Sequence, residues 1–155
     1  MRCIDRCDGI PGVLTPVTTR FSDFGPDGLA HESRVLMFFE AARFDLAERS
    51  GIHEALREAY GESNFQFLVN RLSYRVRQPA RLGTTLWVST RLRPPTLSRL
   101  DFSQSLIDEG AAVVFAEATV EIALVSHQRG LLLSLAPTVK SRVAEYLQSE
   151  RIGAS

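Results

Sequence analysis

The chain has 155 residues, of which 45% are hydrophobic and 23% charged, and its formal net charge is zero. That is long enough to bury a core without disulfides or metals to staple it, and too short for two ordinary domains. The balance excludes intrinsic disorder and the chain-wide basic character of a nucleic-acid binder.

One domain spanning residues 1–155 is expected, with residues 1–14 as a loose tail. The longest apolar runs, 111–116 and 130–136, fall far short of the roughly 20 residues that span a bilayer. The opening segment also lacks the apolar stretch of a signal peptide, so a cytoplasmic protein without a membrane partner is expected. Cys3 and Cys7 are the only cysteines. A lone C-x-x-x-C pair completes no tetrahedral metal site, and two reduced thiols are the expectation.

In chain order, the β-branched segment "TPVTTRF" (Thr15–Phe21) predicts a first strand. A turn with two glycines and a proline follows, crowding Asp23, Asp27, His31 and Glu32 together. From about Ser33 the apolar residues Val35, Phe39, Ala42 and Leu46 fall on one helical face. Glu40 and Arg43 lie on this helix, which Gly51 should end. Residues Ile52–Glu62 form a short second helix or a lid. From Asn64 the pattern alternates through "FQFLVNRLSYRVRQP", "TTLWVSTRLRP", "LSRLDFSQSLID" and "AAVVFAEATVEIALVS", four strands joined by linkers too brief for crossover helices. An antiparallel meander is expected. "PTVKSRVAEYLQS" (Pro137–Ser149) closes the chain as an amphipathic helix with proline in its first turn.

These elements predict an α+β fold in which an antiparallel sheet of about five strands wraps around one long helix. Such a sheet leaves edges and apolar surface to cover, so a second copy of the chain, in a homodimer or homotetramer, is the expected partner.

Phe21 and Asp23 at the end of the first strand, Gly28 in the turn and "EAAR" at Glu40–Arg43 resemble the hot-dog-fold acyl thioesterases of the 4-hydroxybenzoyl-CoA type. The segment "RLSYRVRQPARLGTTLWVSTRL" is similar to the same family, and the likeness runs over about residues 15–126. The resemblance implies a hot-dog fold, hydrolysis of an acyl thioester on coenzyme A or an acyl carrier protein, and no metal or redox cofactor. It also carries a departure. Aroyl-CoA members bear two acids separated by one residue in this turn, whereas here the positions are Asp23 and Gly25. A branch associated with polyketide assembly lines also lacks the second acid, and the chain is similar to that branch in this respect.

Glu32 occupies the place where related thioesterases often carry His or Tyr, and there the backbone N–H faces the thioester carbonyl. A helix N-terminus stabilises a developing oxyanion, and a carboxylate beside it suits a general base for water. The resemblance therefore implies Glu32, Arg43, Asp23 and Glu40 as catalytic candidates, with Gly28, Leu29 and the Glu32 amide shaping the oxyanion turn. Plainer roles stay open: Glu32 complementing the helix dipole, Asp23 forming the turn, His31 at the surface, and Glu40 with Arg43 as an intrahelical pair. His53 and His127 have no partner in sequence. Ser98 and Ser103 lack a nucleophile elbow, which argues against a serine hydrolase.

Residues 64–99 contain seven arginines and no acid. Arg71, Arg75 and Arg77 share strand parity and, with Arg99, are candidates for binding coenzyme A phosphates or an acidic carrier protein. Acids elsewhere, such as Asp101 and Glu121, offer them a purely structural balance. No base-stacking aromatics alternate with them, so nucleic acid is not an expected partner. An acyl-binding module without hydrolysis, or a hot-dog dehydratase or isomerase, are the alternative functions.

Overall fold

A computed structural model describes residues 12–96, 98–131 and 134–153. The elements are β1 (Val13–Pro16), a 3-10 turn (Phe21–Asp23), α1 (Glu32–Arg49), α2 (Ile52–Tyr60), β2 (Phe65–Val76), β3 (Leu86–Leu92), β4 (Arg99–Asp108), β5 (Val114–Ser126), β6 (Gly130–Leu131) and α3 (Pro137–Gly153).

The face of α1 read from its periodicity is the buried one, with Val35, Phe39, Ala42 and Leu46 all in the core. After Ser50, Gly51 takes φ 75°, a left-handed conformation natural to glycine, and the chain restarts as α2. Thr15 of β1 donates its hydroxyl to Asp45 at 2.6 Å, tying the first strand to this helix.

Pairing is antiparallel throughout, in the order β1-β3-β4-β5-β2, with β6 continuing beside β5. The expected meander is therefore only partly present. β3, β4 and β5 follow one another, but β2 lies beyond β5 and does not pair with β3. The strands β2 and β3 are three inter-strand spacings apart, roughly 14 Å, and the linker 77–85 can reach about 30 Å. It crosses beside the turn that precedes α1, bonding Gly28 and Ala30, instead of turning back.

Three boundaries also differ from the sequence expectation. Strand β1 begins at Val13, inside the segment expected to be a loose tail, because Val13 and Leu14 pair with Thr90 and Ser89. It stops at Pro16, and Phe21 falls in the 3-10 turn. Residues 1–11, with Cys3 and Cys7, lie outside the described residues. The last helix continues four residues past Ser149, to Gly153. It packs on α2 through fully buried Val139 and Val143, and the Ala136 N–H donates to the Tyr60 hydroxyl at 2.8 Å.

A bulge between Val69 and Arg71 shifts the inward phase of β2. Phe65 and Phe67 pack against the core before it, whereas Tyr74 does so after it, in phase with Leu72 and Val76 and opposite Ala118. The same shift sends Arg71 and Arg75 to the outer face. Strand β2 is also an edge of the sheet, and Leu68, Val69, Leu72 and Val76 stay exposed along it. No helix among the described residues is long and apolar enough to cross a membrane.

Candidate active site

The turn before α1 is built from its own backbone and then fastened to the 77–85 linker. Asp23 is buried, accepts the Arg20 N–H at 2.7 Å and faces Arg34 at 3.5 Å, while its carbonyl receives the His31 N–H. Gly25 and Gly28 close a tight turn over Pro26 and Asp27, with the Gly28 N–H on the Gly25 carbonyl at 2.9 Å and Gly28 at φ 74°. The Asp27 carboxylate caps the turn by accepting the Leu29 N–H at 3.0 Å. Next, Ala30 N–H bonds the Ala80 carbonyl and Leu82 N–H bonds the Gly28 carbonyl, both at 2.9 Å. The linker that crosses from β2 to β3 thus fixes the angle at which α1 begins.

Helix α1 starts on His31, whose carbonyl accepts the N–H groups of Arg34 and Val35 and whose side chain provides no cap. Glu32 and Ser33 are the first two helical residues, and among the described residues their N–H groups meet no acceptor. They open onto a cleft of about 530 Å³ between the turn, α1 and the end of β2. Asp27, His31 and Glu32 supply its polar wall, and Val35, Tyr74, Val76, Leu106 and Phe115 its apolar one. Position 25 has no room to spare: a Cβ there would stand 2.9 Å from the Asp27 carboxylate and 3.4 Å from the His31 ring.

The sequence candidates therefore separate into three places. Glu32 and Leu29 line the cleft, and Gly28 shapes the turn behind it, while Asp23 is enclosed in that turn and does not reach the cleft. Glu40 and Arg43 lie two to three turns further along α1, at a second cavity of about 190 Å³ walled by Phe44, Phe67, Val69 and Phe102. The Arg43 guanidinium donates to Gln104 at 2.8 Å, and no carboxylate comes within ion-pairing distance of it among the described residues. Burial holds its pKa below the ordinary arginine value, with the Glu40 charge opposing. Gln104 in turn donates to the Phe39 carbonyl at 2.8 Å and to the Thr90 hydroxyl at 3.0 Å. A polar chain through the core thus sets the position of Arg43.

The arginines of β2 lie on the opposite face of the sheet. Arg77 pairs with Glu117 at 2.7 Å, Arg99 lies 3.5 Å from Glu121, and Arg71 and Arg75 stand in register with Glu121 and Glu117. Glu117 is a balancing acid that the sequence did not single out. A shallow cleft of about 360 Å³ there holds Arg71 and Arg93 together with Asp101 and Glu121. His53 also gains a partner invisible in the sequence, because α2 folds back to bring it against Glu48, which Arg57 bonds at 2.8 Å.

Sequence reasoning missed Tyr74 and Gln104. Tyr74 shows in the sequence only as one of the even-numbered apolar residues Leu72, Tyr74 and Val76, a phase that needs the bulge to be known. Gln104 reads as an ordinary outward polar residue of an alternating strand, although it is 2% exposed.

No family model matches the chain, and no curated protein matches it. Solved structures do. It is 26% identical to the hypothetical protein TT1821 from Thermus thermophilus, over 86% of this chain and 98% of that one, with a TM-score of 0.73. A DHNA-CoA thioesterase from Staphylococcus aureus is similar at 13% identity over 90% and 93% of the two chains, TM-score 0.75. A second protein from Thermus thermophilus, a thioesterase complexed with coenzyme A and Zn, is similar at 20% identity over 91% and 98%, TM-score 0.71. These similarities show the fold: an antiparallel sheet around a long helix, the hot-dog fold.

Proposed function

We propose that the chain is a thioesterase that hydrolyses an acyl thioester of coenzyme A. The observation that supports it most is the Glu32 carboxylate beside the two unbonded first-turn amides of α1, all facing one cleft. Several similar structures are named thioesterases, and one is described with coenzyme A.

In this reading the thioester carbonyl lies against the N-terminus of α1, and the Glu32 carboxylate takes a proton as water attacks the carbonyl carbon. The carbonyl π pair moves to oxygen, where the Glu32 N–H and the positive end of the helix stabilise it. Collapse of that oxyanion breaks the C–S bond, and the proton held by Glu32 passes to the departing thiolate. Asp23 and Gly28 keep the turn in shape. Arg43, with Glu40 beside it, acts from the second cavity, and Gln104 holds the arginine in place.

Arg71 and Arg75, with Arg77 and Arg99 partly neutralised by Glu117 and Glu121, are the proposed contacts for coenzyme A phosphates. An acyl carrier protein, including one loaded with a polyketide chain, is the alternative donor of the acyl group. A second copy of the chain would cover the exposed apolar edge of β2 together with Met37 and Phe44 of α1, giving a homodimer or homotetramer. The empty acid position at Gly25 favours one other function, acyl binding without hydrolysis.

Thiol release from aliphatic, aromatic and β-keto esters of coenzyme A and of a carrier protein tests the proposal. Wild type should turn over a coenzyme A ester, and Glu32→Gln should lower kcat by about 10²-fold or more. Full activity in both Glu32→Gln and Glu32→Ala would refute the base. Saturable binding of every ester with no turnover would establish the acyl-binding module instead.

A further inference from the structure

A hydrolytic oxyanion site works best with two donors, and the Glu32 amide is one. Tyr74 lines the same cleft. It sits on β2 opposite Ala118, and its ring meets Phe39 edge-on, with centroids 6.3 Å apart and planes at 70°. The residues opposite this part of β2 are the small, buried Ala116 and Ala118. Among the described residues the Tyr74 hydroxyl makes no hydrogen bond. A half-buried phenol ordinarily finds a partner. This one has its ring set against Phe39 and lines the cleft.

We propose that Tyr74 is a catalytic residue, whose O–H donates to the thioester carbonyl oxygen together with the Glu32 N–H. The proposal rests on the thioesterase reading above and adds a side-chain donor to it. As water attacks and the π pair moves to oxygen, Tyr74 keeps its proton and only shortens its hydrogen bond; on collapse the charge passes to the departing sulfur, which takes the proton held by Glu32 and leaves that carboxylate charged again. Burial, and then the charge of Glu32, push the Tyr74 phenol above its ordinary pKa. The group therefore stays a donor throughout the neutral range.

Tyr74→Phe preserves the contact with Phe39 and removes only the hydroxyl. It should lower kcat by about 10²-fold with KM little changed, the usual effect of losing one oxyanion donor. Binding is measured beside turnover with two probes: a coenzyme A ketone in which a methylene replaces the thioester sulfur, and the matching thioether without a carbonyl. The variant should lose about tenfold in affinity for the ketone and nothing for the thioether. Replacing Tyr74 by 3,5-difluorotyrosine, a more acidic phenol, should move the basic limb of the kcat profile to lower pH. Unchanged ketone affinity in Tyr74→Phe overturns the proposal, whatever the turnover. A selective loss for the ketone in a protein whose wild type hydrolyses nothing would uphold the donor and refute the thioesterase.

Discussion

Replacing Gln104 by Leu tests whether the sheet, and not a partner on its own helix, holds Arg43. The side chain is 2% exposed and makes three bonds: it accepts from Arg43 at 2.8 Å and donates to Phe39 and Thr90 at 2.8 and 3.0 Å. Losing the bond to the guanidinium should cost about 1.5–3 kcal/mol. The Phe39 carbonyl keeps its helical bond, and Thr90 needs a new partner, which adds about 1 kcal/mol. Leucine restores some apolar contact, so the net expectation is about 2–3 kcal/mol. For a chain of this size that lowers Tm by roughly 6–9 °C. Thermal and urea unfolding of Gln104→Leu, Arg43→Met and the double variant measure it. The double variant should recover at least about 1 kcal/mol, because no buried cation is then left without an acceptor. A loss below 1 kcal/mol in Gln104→Leu, or strictly additive effects, would show that Arg43 is adequately solvated and that the chain through the core is incidental.

Two further expectations concern the outer face and the sheet edge. Burial, then Glu121 directly across the strand pair, hold the Asp101 carboxyl above its usual range, against Arg93 and Arg99. A raised carboxyl pKa means that the folded chain binds the proton more tightly. Charged Asp101 therefore opposes folding above its folded pKa, and the penalty vanishes as pH falls through the unfolded value. Asp101→Asn should raise stability at neutral pH by about 0.5 kcal/mol and add nothing near pH 3, about a unit below the unfolded value; a loss of stability at neutral pH would show that the arginine contacts dominate. On the edge, Leu72 lies 41% exposed beside Val76. Leu72→Lys should convert a sedimenting dimer to a monomer without unfolding it, and a wild type that is itself monomeric would remove the case for pairing along β2.

Much of this architecture is local and therefore legible along the chain. The inward face of α1 follows from the spacing of Val35, Phe39, Ala42 and Leu46, and the four long strands follow from alternation, because both periodicities are properties of one segment meeting one apolar layer. The turn around Gly25 and Gly28 was equally readable, since proline and glycine constrain the backbone whatever surrounds it. The onset of the apolar period placed the start of α1 near Ser33, and the structure begins it one residue earlier, at Glu32, behind an N-cap, His31, that supplies no side-chain bond.

Tertiary structure decided what depends on residues far apart. Order in the sheet was one such matter: a nine-residue linker is long enough either to turn back or to cross, and only its bonds with the Gly28–Ala30 segment select the crossing. The bulge at Asn70 was another, because a single extra residue reverses which side chains of β2 enter the cleft, and alternation alone does not mark where the phase slips. It also decided that Arg43 lies with Gln104, 61 residues away, in a different cavity from Glu32, and that Tyr74 and Glu32 line one cleft. Helical and strand patterns report how a segment meets the core, whereas a site is assembled from side chains whose distances are set by strand order, register and the packing of one layer on another.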